Sequence, residues 1–183
     1  MSEGRVTEMA EAQKRTEEKV AALAESQKKM QDILGDLQGR SLEGAYRDKA
    51  YAYFGRILRR PQVISLRDLE DTLETGLSQD EFLDVLLLDV LIKGRPRGLP
   101  EATEVFLALE VSVVVDGSDV QRAGRRAALL RKAGYATVPV VAGKTVTPDA
   151  EDEAQTQGVT VLLDGRVLNW EAARAKKRGS DCK

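Results

Sequence analysis

Two carboxylates stand where carboxylates are costly. Glu110 lies inside the apolar run 105–115 (VFLALEVSVVV). Strand side chains alternate faces, so Leu107, Leu109, Val111 and Val113 would point one way. Phe106, Ala108, Glu110, Ser112 and Val114 would point the other. Glu110 then sits in a stretch buried on both faces, where a lone carboxylate must find a cation or take up a proton. Asp89 repeats the problem between Leu86-Leu87-Leu88 and Val90-Leu91-Ile92. If the two strands are neighbours, Asp89 and Glu110 face each other, and two such acids repel unless a cation lies between them. Mg²⁺ is held by one or two carboxylates together with waters and phosphate oxygens. The chemistry that follows is metal-assisted phosphodiester hydrolysis, in which the ion polarises the phosphate and activates water. The purely structural alternative pairs Glu110 with Arg95, Arg97 or Arg122 and lets Asp89 cap the start of a strand.

Composition narrows the other chemistry. The 183 residues include no His, which excludes His-ligated zinc and triads built on His. The single Cys, Cys182, gives no intramolecular disulfide and no cysteine metal cluster. With 28 Lys+Arg against 30 Asp+Glu, the net charge of −2 argues against a general polyanion sink while leaving room for a local basic patch. The first residues, MSEGRVTEMAEAQKRTEEK, have no apolar signal core, and the apolar stretches are too short or too interrupted by Asp to span a bilayer. The expectation is a cytoplasmic protein with no membrane partner.

The elements that would position the acids begin after a long helical lead. Residues 1–38 lack Pro and aromatic residues and are rich in Ala, Glu, Gln and Lys. A heptad register places Val6, Gln13, Val20, Gln27 and Leu34 at one seam position, and Met9, Thr16, Leu23, Met30 and Leu37 at the other. Seven of these ten are apolar, a pattern that predicts a coiled coil. The expected partner is another copy in a parallel homo-oligomer, most simply a dimer. The alternative is a single amphipathic helix lying on its own domain. Gly35 and Gly39 are expected to loosen this helix, and Ser41 to cap a second one running to about Arg60, where Pro61 stops it.

A short strand is expected at Val63-Ile64 and a helix from Leu66 to Thr75. Ser78 and Glu81 form a capping-box pattern before another helix. Strands are expected from Asp89 to Lys93 and through 105–115, with 94–98 a turn. A helix capped by Ser118 or Asp119 runs to Ala133. A strand at 137–141 contains Pro139 and so belongs at an edge or bulge. A short helix from Pro148, a strand at 159–163 and a hairpin turn at Asp164-Gly165 complete the domain. The domain is taken as 39–170, and 171–183 as a basic, disordered tail. Gly143-Lys144-Thr145 lacks the spacing of a phosphate loop and is read as a turn.

The order helix, three strands, helix, strand resembles the PD-(D/E)XK nuclease superfamily, the restriction-endonuclease-like fold: α/β, an α-β-β-β-α-β core with a mixed central sheet. The segments GRSLEGAYR, DVLIKGR and LEVSVVVDGSDVQRAGRRAALL, behind a coiled coil, resemble a group of bacterial and archaeal nuclease-like proteins. The resemblance covers roughly residues 39–168. It implies a metal-dependent endodeoxyribonuclease acting on DNA, with Glu43, Asp89 and Glu110 holding Mg²⁺, or Mn²⁺ as its substitute. The family lysine falls at Ser112, which hydrogen-bonds but brings no positive charge. Lys93 is ~13 Å along its strand from Asp89 and does not replace it. Arg122 and Arg126 would act as phosphate clamps rather than bases, and Arg95 and Arg97 as a second nucleic-acid contact. Helix 119–133 is read as basic on its outer side through Arg122, Arg125, Arg126, Arg131 and Lys132. The competing expectation is a catalytically inactive nuclease-fold protein that serves as an oligomeric binding or assembly module.

Overall fold

The computed structural model describes residues 3–98 and 104–170. The expected tail, 171–183, with its Lys176, Lys177 and Arg178, lies outside the described residues. The chain divides into two compact units, Met1–Gln38 and Gly39–Lys183. No helix among the described residues is long and apolar enough to cross a membrane.

Helix α1 spans Glu3–Asp48 without a break. It therefore passes through Gly35 and Gly39, and Ser41 is an interior helical residue instead of a new cap. A glycine costs an exposed helix about 1 kcal/mol relative to Ala, which a long run of good helix formers outweighs. Helix α2 is short (Ala50–Phe54). Strand β1 (Leu58–Ile64) starts well before the expected Val63 and includes Pro61. It is an edge strand, paired only with β2 (Val90–Pro96), so a missing N–H is tolerated there and hinders pairing with other chains. Between them lie a 3₁₀ turn (Leu66–Leu69), α3 (Glu70–Gly76) and α4 (Gln79–Leu86). The Ser78–Glu81 capping box is present in both directions.

Strand β3 covers Val105–Val111. The apolar run then bends at Ser112-Val113, and β4 (Val114–Val115) pairs in a separate two-stranded ladder with β6 (Thr145–Val146). Helix α5 (Gly117–Lys132) is capped by Asp116, earlier than expected. Strand β5 (Thr137–Gly143), α6 (Pro148–Gln157), β7 (Thr160–Leu163) and β8 (Arg166–Leu168) follow. The six-stranded sheet has the order β1-β2-β3-β5-β7-β8. It is mixed: β1, β2 and β3 are antiparallel neighbours, β3, β5 and β7 run parallel, and β8 returns antiparallel. The domain is thus α/β with a mixed central sheet.

Pro139 lies inside β5, which is central and not an edge. Pairing of β5 with β7 starts only at Val140, so at Pro139 one side of the strand has no neighbour to receive an N–H. The Asp164-Gly165 turn between β7 and β8 has positive φ at both residues, 45° and 79°, as a two-residue hairpin of this hand requires.

The sheet has two covered faces. Leu107 and Leu109 of β3 and Val90 and Ile92 of β2 pack with Tyr46 of α1 and Phe54 of α2. On the opposite face Ala108 and Leu91 pack with Leu73, Val85, Ala127 and Leu130 of α3, α4 and α5. Val141 and Val161 extend this second face under Val120, Ala123, Ala150 and Ala154 of α5 and α6. Strand alternation therefore aims Glu110 at α5, on the side away from Tyr46.

Candidate functional site: an acid centre closed by arginines

The ladder pairs Val90 with Leu109 in antiparallel register, so the next residues outward, Asp89 and Glu110, stand opposite each other at the ends of β2 and β3. The expected juxtaposition of these two acids is present, and each carboxyl lies above its own ordinary pKa. Glu110 is only 2% exposed. Burial pushes its carboxyl above the ordinary value, while hydrogen bonding and charge from Arg126 pull against that, and Asp89 adds to the rise. Burial likewise pushes Asp89 up, opposed by the Val111 N–H and reinforced by Glu43.

The cation that meets Glu110 belongs to the protein. Arg126 Nη1 donates to both carboxylate oxygens, at 2.7 and 2.8 Å. Arg122, one turn earlier on α5, donates through Nε to Oε2 at 3.3 Å. The side chain of Arg126 is 6% exposed and is fixed from behind: Nη1 also donates to the Leu87 carbonyl at 2.9 Å, and Nε to Asp84 Oδ1 at 3.2 Å. Arg125 binds the same Asp84 through two nitrogens, at 2.6 and 3.1 Å. These guanidiniums hold the Asp84 carboxyl below its ordinary value, Arg125 contributing most. Charged groups taken from water are tolerated when paired and hydrogen-bonded in this way.

Ser112 also has a partner. Its Oγ donates to Asp119 Oδ1 at 2.8 Å. Asp119 is 3% exposed; it accepts from the Asp116 N–H at 2.9 Å and pairs with Arg122 Nη2. The reciprocal box between Asp116 and Asp119 thus joins the cap of α5 to the end of β3. A Cβ at Gly143 would collide with the Ser112 carbonyl, so only glycine lets β5 pass this bend.

Asp89 Oδ2 accepts the Val111 N–H at 2.7 Å, in keeping with a carboxylate that fastens a strand end. Glu43 approaches from the other face of the sheet, because α1 packs there through Tyr46. Its Oε1 is bound by Arg47 at 2.6 Å, and Arg47 also donates to the Asp89 carbonyl oxygen. Asp89 is thus raised further by Glu43, and itself raises Glu110. Among the described residues no group of three or more His, Cys, Asp or Glu is arranged to hold a metal ion. Of the expected Mg²⁺ set, Glu43 contacts Arg47, Asp89 the Val111 N–H and Glu110 the Arg126 guanidinium.

No family model, curated protein or solved structure matches the chain.

The remaining sequence candidates separate in space. Arg126 does not belong to the outer side of α5; it is buried on the inner face with Val120, Ala123, Ala127 and Leu130. Arg95 is a strand residue opposite Arg59, not part of a turn. It is six residues, ~20 Å at strand rise, from Asp89, and so is not beside the acid centre. Arg97 donates to the Gly55 carbonyl at 2.6 Å, fastening the end of β2 to the segment after α2. Lys93 pairs with Glu104 at 3.3 Å. Asp84, Asp119, Asp116 and Arg47 belong to the network and were not among the sequence candidates. The phase of α5 already carries the signal for Arg126, which falls three residues after Ala123 and four before Leu130. Arg47 shows locally only its i,i+4 spacing from Glu43, and for Asp84 no local signal exists, because its partners lie across the fold.

The sign of the pH dependence follows. A carboxyl raised on folding binds more protons in the folded state, so stability rises as pH falls through the interval between its folded pKa and its ordinary value. For Glu110 and Asp89 the ordinary values are 4.5 and 3.8. Asp84, lowered from 3.8, acts oppositely: its contribution is intact above that value and disappears as pH falls through its folded pKa. In urea unfolding followed from pH 8 to 4, Glu110→Gln is expected to remove much of the gain in stability on mild acidification. A pH slope unchanged by this substitution would contradict the raised carboxyl.

Proposed function

We propose that this chain is a restriction-endonuclease-like module without hydrolytic chemistry, used for assembly through its N-terminal helix. The observation that carries the reading is Arg126, which fills the contact surface of Glu110 with two hydrogen bonds at 2.7 and 2.8 Å. A metal ion would have to displace a guanidinium that Leu87 and Asp84 hold in place. The position that would supply a lysine is Ser112, and its hydroxyl is committed to Asp119. The succession of three antiparallel strands, the α5 crossover and a parallel β5 supports the likeness to the nuclease fold. The exposed apolar stripe of α1 supports the assembly role: Met9, Leu23 and Met30 are 73%, 69% and 60% exposed, a burial debt that another helix removes.

A second reading, Mg²⁺-dependent cleavage of DNA, is favoured by one observation, the opposition of Asp89 and Glu110. It requires the guanidinium to leave. Calorimetric titration of the full chain with Mn²⁺ and Mg²⁺, alongside a plasmid-cleavage assay, separates the two. The assembly reading expects no heat of binding above that of Glu110→Ala and no metal-dependent cleavage. Saturable Mn²⁺ binding abolished by Glu110→Ala, together with cleavage, would replace it with the hydrolase. Light scattering on the full chain and on a Val20→Glu, Leu23→Glu variant tests assembly itself: the variant is expected to fall to the mass of one chain, and a wild type already at that mass would refute it.

A further inference from the structure

Residues 5–38 of α1 are exposed all round, with Val6, Met9, Val20, Leu23, Met30, Leu34 and Leu37 each at least half exposed. Their spacing leaves one apolar seam interrupted at only three positions, Gln13, Thr16 and Gln27. Those interruptions carry more information than the apolar residues. Resting on the assembly reading above, we infer that the partner of this seam is a second copy of the same helix, parallel and in register, with Gln13 and Gln27 as the register pins.

The hydrogen-bond inventory supports this orientation. Thr16 Oγ1 already donates to the Ala12 carbonyl at 2.9 Å, so its hydroxyl enters a dry seam satisfied and demands nothing from the partner. Gln13 donates one N–H to Glu17 Oε1 at 3.0 Å. Its carbonyl and second N–H remain available, and an identical amide directly opposite supplies the matching acceptor and donor. Parallel in-register pairing sets Gln13 against Gln13 and Gln27 against Gln27 of the second copy. A slip of one heptad sets Val6 against Gln13, Gln13 against Val20, Val20 against Gln27 and Gln27 against Leu34, so that both amides of each helix face apolar groups. The antiparallel arrangement of fullest overlap pairs Val6 with Leu37 and Met9 with Leu34, and therefore Gln13 with Met30. A buried amide without a partner costs about 1–3 kcal/mol, enough to select among registers that bury similar apolar area.

The apolar residue types agree. Val6 and Val20 are β-branched residues at one seam position, with Leu23 and Leu37 at the other, the distribution that favours two parallel strands. The flanking positions bring no like charges together: Ala12 meets Glu17, Lys19 meets Ala24, and Ser26 meets Gln31. Seam and flank together engage about 18 residues per helix over 6–37, close to the ~20–30 a side of a standard interface.

The test uses the full chain in a Cys182→Ser background, with Met9→Cys and Leu34→Cys made separately and oxidised alone or mixed. Light scattering is expected to give twice the 20.1 kDa chain mass. Each cysteine variant alone is expected to form a disulfide-linked pair in high yield. A mass of one chain would overturn both this inference and the assembly reading. A paired species in which Met9→Cys links only to Leu34→Cys would show antiparallel helices and overturn this inference while leaving assembly standing. A mass of three or four chains would do the same. The pins are tested by Gln13→Leu with Gln27→Leu: cross-linking of Met9→Cys chains to Thr16→Cys chains, the one-heptad slip, is expected to rise severalfold. No rise would remove the glutamines from their role.

Discussion

Arg126→Met will cost the domain about 3–5 kcal/mol, the toll of leaving one member of a buried ion pair without its partner. Met spans a similar length on the buried face of α5, so little of the loss comes from an empty space. The loss comes from Glu110, 2% exposed and stripped of the guanidinium that contacts both oxygens. Arg122 remains at 3.3 Å and limits the damage, but it is already shared with Asp119. Asp84 keeps Arg125, whereas the Leu87 carbonyl loses the guanidinium N–H it accepts. The companion experiment is Glu110→Leu combined with Arg126→Met. Replacing both partners removes the stranded charge, and the double variant is expected to recover most of the loss, because apolar replacements of buried ion pairs are often neutral or stabilising. Urea unfolding of the two single variants and the double variant forms a cycle. If Arg126→Met costs less than about 1 kcal/mol, the arginine is not what holds Glu110, and the acid centre has room for another cation.

The sequence poses the problem at Glu110 without giving its solution. A carboxylate in a run such as VFLALEVSVVV must be compensated, and that much is readable from residue types alone. The identity of the compensating group depends on which face of β3 meets α5. Val120, Ala123, Ala127 and Leu130 are buried on the inner face of α5, and the same helical phase carries Arg126 inward. Arg126 therefore departs from the outer group expected of this helix and is buried. Asp84 has no such signal, since it meets Arg126 across 42 residues, and the i,i+4 spacing of Arg47 from Glu43 does not reveal its bond to Asp89 across another 42.

The fold shows the same division between local and remote information. The Ser78 capping box and the Asp164-Gly165 hairpin are local devices, and both are present where the residues required them. The end of α1, the early start of β1 and the place of Pro139 depend on neighbours. Gly35 and Gly39 weaken a helix without ending it. Pro139 sits in a central strand because β7 arrives one residue later, a fact of register that no composition rule contains. Ser112 illustrates both kinds at once. Its place two residues after Glu110 is visible in the sequence, while its bond to Asp119 appears only when β3 bends toward the cap of α5.

Tyr46→Ala will be the other severe variant, with an expected loss of about 3 kcal/mol or more, the range for deleting a buried aromatic ring. Tyr46 is 1% exposed and packs at 4.7 Å from the Tyr53 ring and 6.5 Å from Phe54. Its hydroxyl donates to the Gly143 carbonyl at 3.4 Å, a long bond, and burial drives the phenol far above its ordinary pKa. Tyr46→Phe keeps the ring and gives up only that bond, so its expected cost is ~0.5–1 kcal/mol. The contrast assigns the stabilisation to ring packing. Tyr46 also neighbours the residues that bring Arg47 to Glu43 and to the Asp89 carbonyl. Removing the ring should therefore loosen Arg47 from Asp89, and amide exchange at Val90 and Val111 should quicken in Tyr46→Ala while remaining near wild type in Tyr46→Phe. Equal losses in the two variants would mean that the hydroxyl and not the ring secures this end of α1. Unchanged exchange at Val90 and Val111 in Tyr46→Ala would mean that the acid centre is held by α5 alone, through Arg122 and Arg126, and needs nothing from the opposite face of the sheet.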